Sequence, residues 1–315
     1  MKTNTVIGTL SGISLDPEVP ELWLARARVY RNPLWDSTAM HPDPSPNFKK
    51  FDSSRGSTPI AKFLIDVEFQ TETDEIPGSL PSDLLQEAVL PLQLGTRGRV
   101  LVAWAKVGGG TRETVAAEGI PTHAPLPVGE SRISILDAHS CECLHRLAEQ
   151  LDGANLKKYE VPLGLFSDSF HRSRPIDRGI DLLVALESLF SEGPESISLK
   201  VALRACCLLA TESTERKRIY NLVREAYRHR NTLVHGKRSK RGDAVQWFTR
   251  NCDELEDAVR MALCCFAKLS AEGNELTPDK VDDFLFDKGL MQGPANSKID
   301  GFQPVGRLAR LWKLL

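Results

Sequence analysis

The chain lacks any uninterrupted apolar run of about 18 residues, the length that a membrane span requires, and residues 1–4 lack the apolar core of a secretion signal. These two absences predict a protein without membrane contact, located in the cytoplasm. A phosphate-binding loop is also missing, because Gly108, Gly109 and Gly110 follow an apolar strand but are not succeeded by Gly-Lys-Ser/Thr. The three glycines therefore predict a turn, and nothing in the sequence indicates a cofactor.

The cysteines do not form the pattern of a disulfide framework. There are seven of them, an odd number, and the adjacent pairs 206–207 and 264–265 lie in apolar, helix-periodic surroundings. Free thiols in such surroundings behave as small hydrophobic groups, so this usage suits a reducing compartment.

Metal-ligand residue types alternate at His139, Cys141, Cys143 and His145. On a β-strand all four side chains would point the same way, as a zinc site requires. The leucines that follow instead predict a helix, which spreads the four side chains over opposite sides. We therefore predict no metal site here, with zinc as the less favoured alternative.

Turn residues divide the chain into two predicted domains, and the fold class that results is α+β. With 315 residues and 41% hydrophobic content, two ordinary domains can each bury a core. Residues 1–165 show short β-rich runs between Pro, Gly and Ser clusters, whereas residues 166–315 show apolar residues at helical spacing. We expect a β-rich domain of unknown role, a sensor, a substrate-positioning module or an inhibitory cap, followed by an all-α bundle.

The predicted elements follow from these patterns. In the first domain we predict five strands and one helix, with long loops at 32–59 and 119–129: strands at 5–10, 22–29, 62–70, 99–107 and 132–136, and a helix at 138–151. In the second we predict helices at about 176–191, 198–211, 214–234, 244–271, 278–287 and 305–314. The last of these is basic and amphipathic, and we expect it to dock on its own bundle rather than on a membrane surface or RNA.

Positive charge is concentrated in one segment. Residues 214–241 contain ten Lys or Arg against two Glu, while the rest of the chain holds 30 basic and 40 acidic residues. A single basic segment on an otherwise acidic protein indicates a site for phosphates, although a solvated helix face with a charged loop is an equally common explanation. The residues predicted to contact RNA are Arg228, Lys237, Arg238, Lys240 and Arg241.

Arg230 occupies an unusual position on the predicted helix at 214–234. A turn of about 100° per residue places it in the centre of the apolar stripe that contains Ile219. A guanidinium is costly to bury without a partner, and Glu187 is likewise the lone charge on the apolar stripe of the helix at 176–191. We predict that the two approach within salt-bridge range or line one cleft, the alternative being a purely structural ion pair.

The residues around Arg230 fit RNA chemistry. Asn231 and His235 are four apart and share a helix face, and Gly236 predicts a helix stop beside the cationic residues that follow. Cleavage of RNA without metal needs a group that moves protons, which histidine does near neutral pH, and a group that holds the phosphate, which arginine does with two donors. One histidine is too few for both acid and base, whereas a symmetric dimer would supply a second.

The sequence resembles the Apea-like HEPN domain family over about a third of the chain. The resemblance is carried by DLLVALESLF at 181–190, by the apolar helix with Arg204, and above all by YRHRNTLVHG at 227–236. It implies a bundle of four to five helices that dimerises, with the motif Arg230-Asn231-x-x-x-His235 of each subunit meeting in a composite RNase site. Glu187 and Tyr227 would support that site.

Members of the HEPN superfamily serve in bacterial toxin–antitoxin, abortive-infection and other antiphage systems, so the resemblance implies an endoribonuclease with RNA as substrate and an antitoxin or defence-system protein as a further partner. Some HEPN domains only bind nucleotides or scaffold partners. The alternatives are therefore a non-catalytic module that binds RNA or nucleotide, and an interaction scaffold in which Arg230 and Glu187 are architectural.

Overall fold

The computed structural model describes residues 2–31, 41–42, 48–53, 56–61, 63–71, 80–108, 120–121, 133–191, 193, 195–210, 212–234, 241–273, 277 and 280–282. The chain divides into two compact units, Met1–Glu149 and Gln150–Leu315. The first combines β-strands with two helices and the second is helical over its described part, which confirms the predicted α+β class. No helix in these described ranges has both the length and the apolarity to cross a membrane.

The first unit is built on a six-stranded antiparallel sheet of order β10-β9-β1-β8-β4-β3. Two smaller sheets accompany it: β2 pairs with β11 in parallel, and β5, β6 and β7 form an antiparallel sheet. The strands are β1 Lys2–Ser11, β2 Ile13–Leu15, β3 Glu21–Leu24, β4 Ala27–Arg31, β5 His41–Pro42, β6 Phe48–Ser53, β7 Gly56–Ala61, β8 Phe63–Thr71, β9 Leu101–Gly108, β10 Ile120–Pro121 and β11 Ser134–Leu136.

Two helices, α1 (Leu80–Gly95) and α2 (Ala138–Asp152), complete the first unit. One face of the large sheet and both helices form its core, in which strand residues alternate between buried and outward-facing positions. Core side chains include Val6, Leu10, Leu22, Leu24, Val29, Ile65 and Val67 of the sheet, Leu85, Val89 and Leu92 of α1, and Leu144 and Ala148 of α2.

Several predictions for the first unit were wrong. The strand predicted at 22–29 is a hairpin, because Ala25 adopts a positive φ of 47° and turns the chain between β3 and β4. The loop predicted at 32–59 contains β5, β6 and part of β7, and the loop predicted at 119–129 contains β10. Helix α1 was missed because its two prolines resemble turn signals, although apolar residues recur along it at helical spacing.

The second unit contains a short 3-10 turn, Leu156–Tyr159, followed by five α-helices. The helices are α3 Glu160–Ser169, α4 Pro175–Phe190, α5 Ile197–Leu209, α6 Ser213–Val234 and α7 Arg241–Ala271. The predictions at 176–191, 198–211, 214–234 and 244–271 are confirmed, and residues 280–282 are helical within the prediction at 278–287. The prediction at 305–314 lies outside the described residues.

Helix α3 was not predicted, and it covers the domain boundary expected at residue 165. It packs against α4 and α7 and therefore belongs to the bundle. Phe166 and Phe170 of α3 are fully buried and meet edge to face with ring centroids 5.1 Å apart. Helix α5 is buried on most sides, as its nearly continuous apolar sequence predicted.

Gly179 lets α4 approach α7 closely, and this contact yields a stability prediction. A Cβ at this position would overlap the ring of Phe248, which is itself fully buried. Gly179→Ala is therefore expected to lower the free energy of unfolding by about 1–3 kcal/mol, measured by urea denaturation.

Gly164 of α3 is the matched control for Gly179. An added methyl group at Gly164 meets no atom within 4 Å, so Gly164→Ala is expected to raise the free energy of unfolding by roughly 0.5–1 kcal/mol through helix propensity alone. Equal effects of the two substitutions would contradict the packing assigned to Gly179.

Candidate functional site

The candidate site lies along the C-terminal half of α6. The buried face of this helix is formed by Ile219, Leu222, Val223 and Ala226, which recur at helical spacing. Arg230 continues this stripe and is half-buried, as the sequence predicted, while Asn231 is exposed beside it. Helix α6 therefore presents a guanidinium from its buried face and an amide from its exposed face, one residue apart.

The side chain of Tyr227 lies near both Glu187 and Arg230, the two charged residues predicted to approach each other. Its side chain is buried, with 4% of the residue exposed. Burial raises the pKa of Tyr227 well above its ordinary value, the charge and the approach of the Glu187 carboxylate raise it further, and the charge of Arg230 opposes them. The phenol of Tyr227 is thus close to both Glu187 and Arg230.

The direct ion pair predicted between Glu187 and Arg230 is not formed among the described residues. Within the described part of the chain no salt bridge joins Glu187 to Arg230. Tyr227 lies three residues before Arg230 on the same helix face, so its phenol occupies the neighbourhood of both groups. The Glu187 carboxylate influences the hydroxyl, but no described atom meets full hydrogen-bond geometry with the hydroxyl oxygen.

A buried phenol oxygen without a well-formed hydrogen bond is uncommon in a folded protein. Here it stands beside one carboxylate and one guanidinium, both of them half-buried. Among the described residues no side chain makes a well-formed hydrogen bond with the Tyr227 hydroxyl or a salt bridge between Glu187 and Arg230, so this arrangement can accommodate a ligand. Two of these residues lie on α6, and the third is contributed by α4.

His229, which was not predicted as a site residue, is buried next to Arg230. Its imidazole stacks on the Trp247 indole with ring centroids 5.1 Å apart and planes inclined by 19°. His229 lies seven residues after Leu222, on the same helical stripe, so the helical periodicity carried a signal for its burial. This stack joins the last turns of α6 to the first turns of α7.

Burial lowers the pKa of His229, and the positive charge of Arg228 lowers it further, against the opposing charges of Glu225 and Asp243. The imidazole is therefore mainly neutral at pH 7. Its Nε2 lies 2.8 Å from Nη2 of Arg228 and accepts a hydrogen bond from that guanidinium. The neutral ring serves as an acceptor and a stacking partner.

Arg228, predicted to contact RNA, is held by an acidic residue of its own helix. Its Nε and Nη2 donate to Oε2 of Glu225 at 2.8 and 2.6 Å. A phosphate that binds Arg228 must therefore compete with Glu225, although the exposed position of the guanidinium leaves it accessible.

Other basic residues of α6 also have partners within the bundle. Arg218 pairs with Glu215 and with Glu254, and Arg216 donates to the carbonyl of Ala210 at 2.8 Å. The basic segment of the sequence is thus partly compensated in three dimensions. Lys217 is exposed, and so is Arg224, which donates from Nη1 to the hydroxyl of Ser198 at 2.9 Å.

Four predicted site residues, His235, Lys237, Arg238 and Lys240, lie outside the described residues. Arg241 is the first residue of α7. The site can therefore be described from Glu187, Tyr227, Arg228, Arg230 and Asn231, which α4 and α6 bring together at one end of the helix that leads to His235.

The alternating histidines and cysteines lie on α2, as their helical interpretation predicted. His139 and Cys143 are adjacent, with Nε2 and Sγ 3.8 Å apart, whereas Nδ1 of His145 lies 3.0 Å from the carbonyl oxygen of Trp23 on β3. Cys141 is buried, and burial raises the pKa of its thiol to about 11. Among the described residues no group of three or more His, Cys, Asp or Glu is arranged to hold a metal ion.

Comparison of this chain with protein-family models, with curated proteins and with solved structures finds no match.

Proposed function

We propose that this protein is a metal-independent endoribonuclease of the bacterial toxin or antiphage-defence type, with a HEPN-type bundle in its second unit. The observation that carries the proposal is the position of Arg230, half-buried on an apolar stripe beside Tyr227 and Glu187, on the last turns of the helix that leads to His235. A guanidinium in this position can hold two oxygens of one phosphate with its paired donors.

The proposed reaction is the attack of a 2′-hydroxyl on the adjacent phosphorus. A base removes the 2′-hydroxyl proton, the O2′–P bond forms, the P–O5′ bond breaks, and an acid protonates the leaving 5′-oxygen. The products are a 2′,3′-cyclic phosphate and a 5′-hydroxyl end. His235 transfers protons in this scheme, and Arg230 binds the non-bridging oxygens as their charge increases. Asn231 donates a further hydrogen bond from its exposed amide.

The scheme needs two proton-transfer groups, and the motif supplies one histidine in each chain. His229 does not fill this role, because it is buried against Trp247 and its Nε2 is occupied by Arg228. We therefore propose a homodimer in which the motifs of two copies face each other, so that one His235 acts as base and the other as acid. An antitoxin or another defence protein is proposed as a further partner.

Tyr227→Phe tests whether the phenol hydroxyl, which lies near Glu187 and Arg230 without a well-formed hydrogen bond to a described atom, contributes to activity by donating to the bound RNA. The substitution keeps the ring and removes the hydroxyl, so the free energy of unfolding is expected to change by less than about 1 kcal/mol. The cleavage rate is expected to fall about 3- to 10-fold, the value of one ordinary hydrogen bond, with the effect on kcat rather than KM. An unchanged kcat in a folded Tyr227→Phe protein would remove Tyr227 from the site.

Expression in bacterial cells tests the proposed function and identifies the target. Wild type and His235→Ala are expressed side by side, and RNA 5′-ends are mapped in both cultures. We expect new 5′-hydroxyl ends and growth arrest with wild type alone. Equal growth and identical 5′-end maps would contradict a nuclease. RNA binding that is salt-sensitive and survives His235→Ala would instead support the non-catalytic binding module.

A further inference from the structure

One face of the large sheet carries an exposed tryptophan, Trp23, beside a carboxylate and a guanidinium. Trp23 lies on β3, at the edge of the large sheet, and 49% of the residue is exposed. Its neighbours along the strand, Leu22 and Leu24, point into the core, so Trp23 lies on the opposite face. An exposed tryptophan is a candidate for recognition, because a large aromatic ring is normally removed from water.

Arg28 packs against this ring from the neighbouring strand. The two residues are direct cross-strand partners in the pairing of β3 with β4. The guanidinium carbon of Arg28 lies 5.6 Å from the centroid of the Trp23 ring and 4.4 Å from that of Tyr30. Nη2 of Arg28 donates to the buried carboxylate of Asp66 at 2.9 Å. The Arg28 guanidinium is therefore held by Asp66 of β8 and packs against the rings of Trp23 and Tyr30.

Glu21 fixes the orientation of the indole. The Trp23 Nε1–H donates to Oε1 of Glu21 at 2.9 Å, and Oε2 of the same carboxylate accepts a hydrogen bond from Arg28 at 3.4 Å. The ring is thus held in one plane before any ligand arrives, which reduces the entropy lost on binding. Glu21 remains partly exposed and keeps lone pairs that can accept from an amino group beside the ring.

We propose that Trp23, together with Arg28 and Glu21, forms a stacking site for a base of single-stranded RNA. A flat aromatic ligand matches the exposed indole, and hydrogen-bond donors on the edge of that ligand match the Glu21 carboxylate. The described neighbours of Trp23 on this face are the charged residues Arg28 and Glu21 and the amphipathic Tyr30, which fits a small planar ligand with polar edges better than an apolar protein surface. The first unit would thereby hold the substrate of the second.

The inference rests on the proposed function for its choice of RNA, but not on cleavage. Binding is therefore measured in a His235→Ala background with the full chain, by the fluorescence anisotropy of a short labelled single-stranded RNA of mixed sequence. Trp23→Leu is expected to raise the Kd about 5- to 100-fold, because stacking of one base on an aromatic ring has an effect of this size. Trp23→Tyr is expected to bind within a fewfold of the parent protein.

Ile135→Ala is the matched control, since Ile135 is another exposed apolar residue of the first unit, 67% exposed on β11, and its pairing partner on β2 is Ser14. Its Kd is expected to equal that of the parent. A duplex of the same sequence, in which the bases are already stacked, is expected to show no dependence on Trp23.

Equal Kd values for Trp23→Leu and the parent protein would overturn the inference. A Trp23-dependent change in oligomeric state without RNA would also overturn it, because that result would assign the ring to a protein interface.

If Trp23→Leu does not fold, photocrosslinking of 5-iodouridine RNA to the parent protein tests the same contact. A crosslink at Trp23 supports the site, and crosslinks confined to other residues overturn it. Trp23-dependent binding without cleavage by wild type would support this site and contradict the nuclease.

Discussion

Arg230→Ala is expected to lower the rate of RNA cleavage by about 10²–10³-fold while the protein remains folded. The guanidinium of Arg230 is a charged group that the bundle places beside the proposed phosphate position, and its planar set of donors suits two phosphate oxygens. It forms no salt bridge with Glu187 in the described structure, so its removal leaves no carboxylate deprived of an ion-pair partner. Cleavage of labelled RNA under single-turnover conditions gives the rate, and circular dichroism gives the fold.

Arg224→Ala is the control for Arg230→Ala. Arg224 lies on the same helix and its exposed guanidinium donates to the hydroxyl of Ser198, so its loss is expected to change the rate less than twofold. Arg230→Lys keeps the charge but loses the paired donors, and an intermediate rate is expected. If Arg230→Ala unfolds the protein, Arg230 is architectural, and the scaffold hypothesis is then favoured.

Glu256→Ala is expected to produce the largest loss of stability, about 3–5 kcal/mol. Glu256 lies within α7 and contacts the guanidinium groups of both Arg178 and Arg260. Arg260 is only 1% exposed, and it also donates from Nη1 to Oδ1 of Asp257 at 2.8 Å. Removal of Glu256 leaves the buried cation of Arg260 and the half-buried cation of Arg178 with less negative charge beside them. Urea denaturation followed by circular dichroism measures the effect.

Glu272→Ala is the control for Glu256→Ala. Glu272 follows α7 directly and pairs with Lys268 at 3.9 Å near the surface, where such pairs contribute little, so a change below about 0.5 kcal/mol is expected. Glu256→Gln keeps the volume and two hydrogen-bonding atoms, and an intermediate loss is expected. A Glu256→Ala protein as stable as Glu272→Ala would show that the buried charges are hydrated or rearranged.

The helices of the second unit could be predicted because local signals agree with the tertiary structure. Pro175 occupies the first turn of α4, where proline is favoured, and apolar residues recur at helical spacing through α4, α5, α6 and α7. Helix α1 carries the same periodicity, but its internal Pro91 indicates a helix break, and the packing of the helix against the sheet overrides that local signal. The strands between residues 41 and 61 depend on pairing partners that no local pattern specifies.

For the site, the helical wheel correctly predicted which face of α6 contains Arg230. It did not predict that the Tyr227 phenol lies near both Glu187 and Arg230, because the approach of α4 to α6 determines which side chains meet. Since Glu187 and Arg230 are each the lone charge on an apolar stripe, the pattern suggested a direct ion pair between them. The same limit applies to His229, whose burial follows from the periodicity but whose stacking on Trp247 requires the position of α7. Distances between helices are set by packing, which a single sequence does not encode in a local pattern.

The most direct test of the nuclease is the incubation of purified wild-type and His235→Ala protein with end-labelled RNA in the presence of EDTA, followed by analysis of the product ends. We predict that wild type yields fragments with 2′,3′-cyclic phosphate and 5′-hydroxyl ends, and that His235→Ala yields none above background. Intact RNA in both reactions, or identical cleavage by both proteins, would contradict the assignment of an endoribonuclease centred on Arg230 and His235.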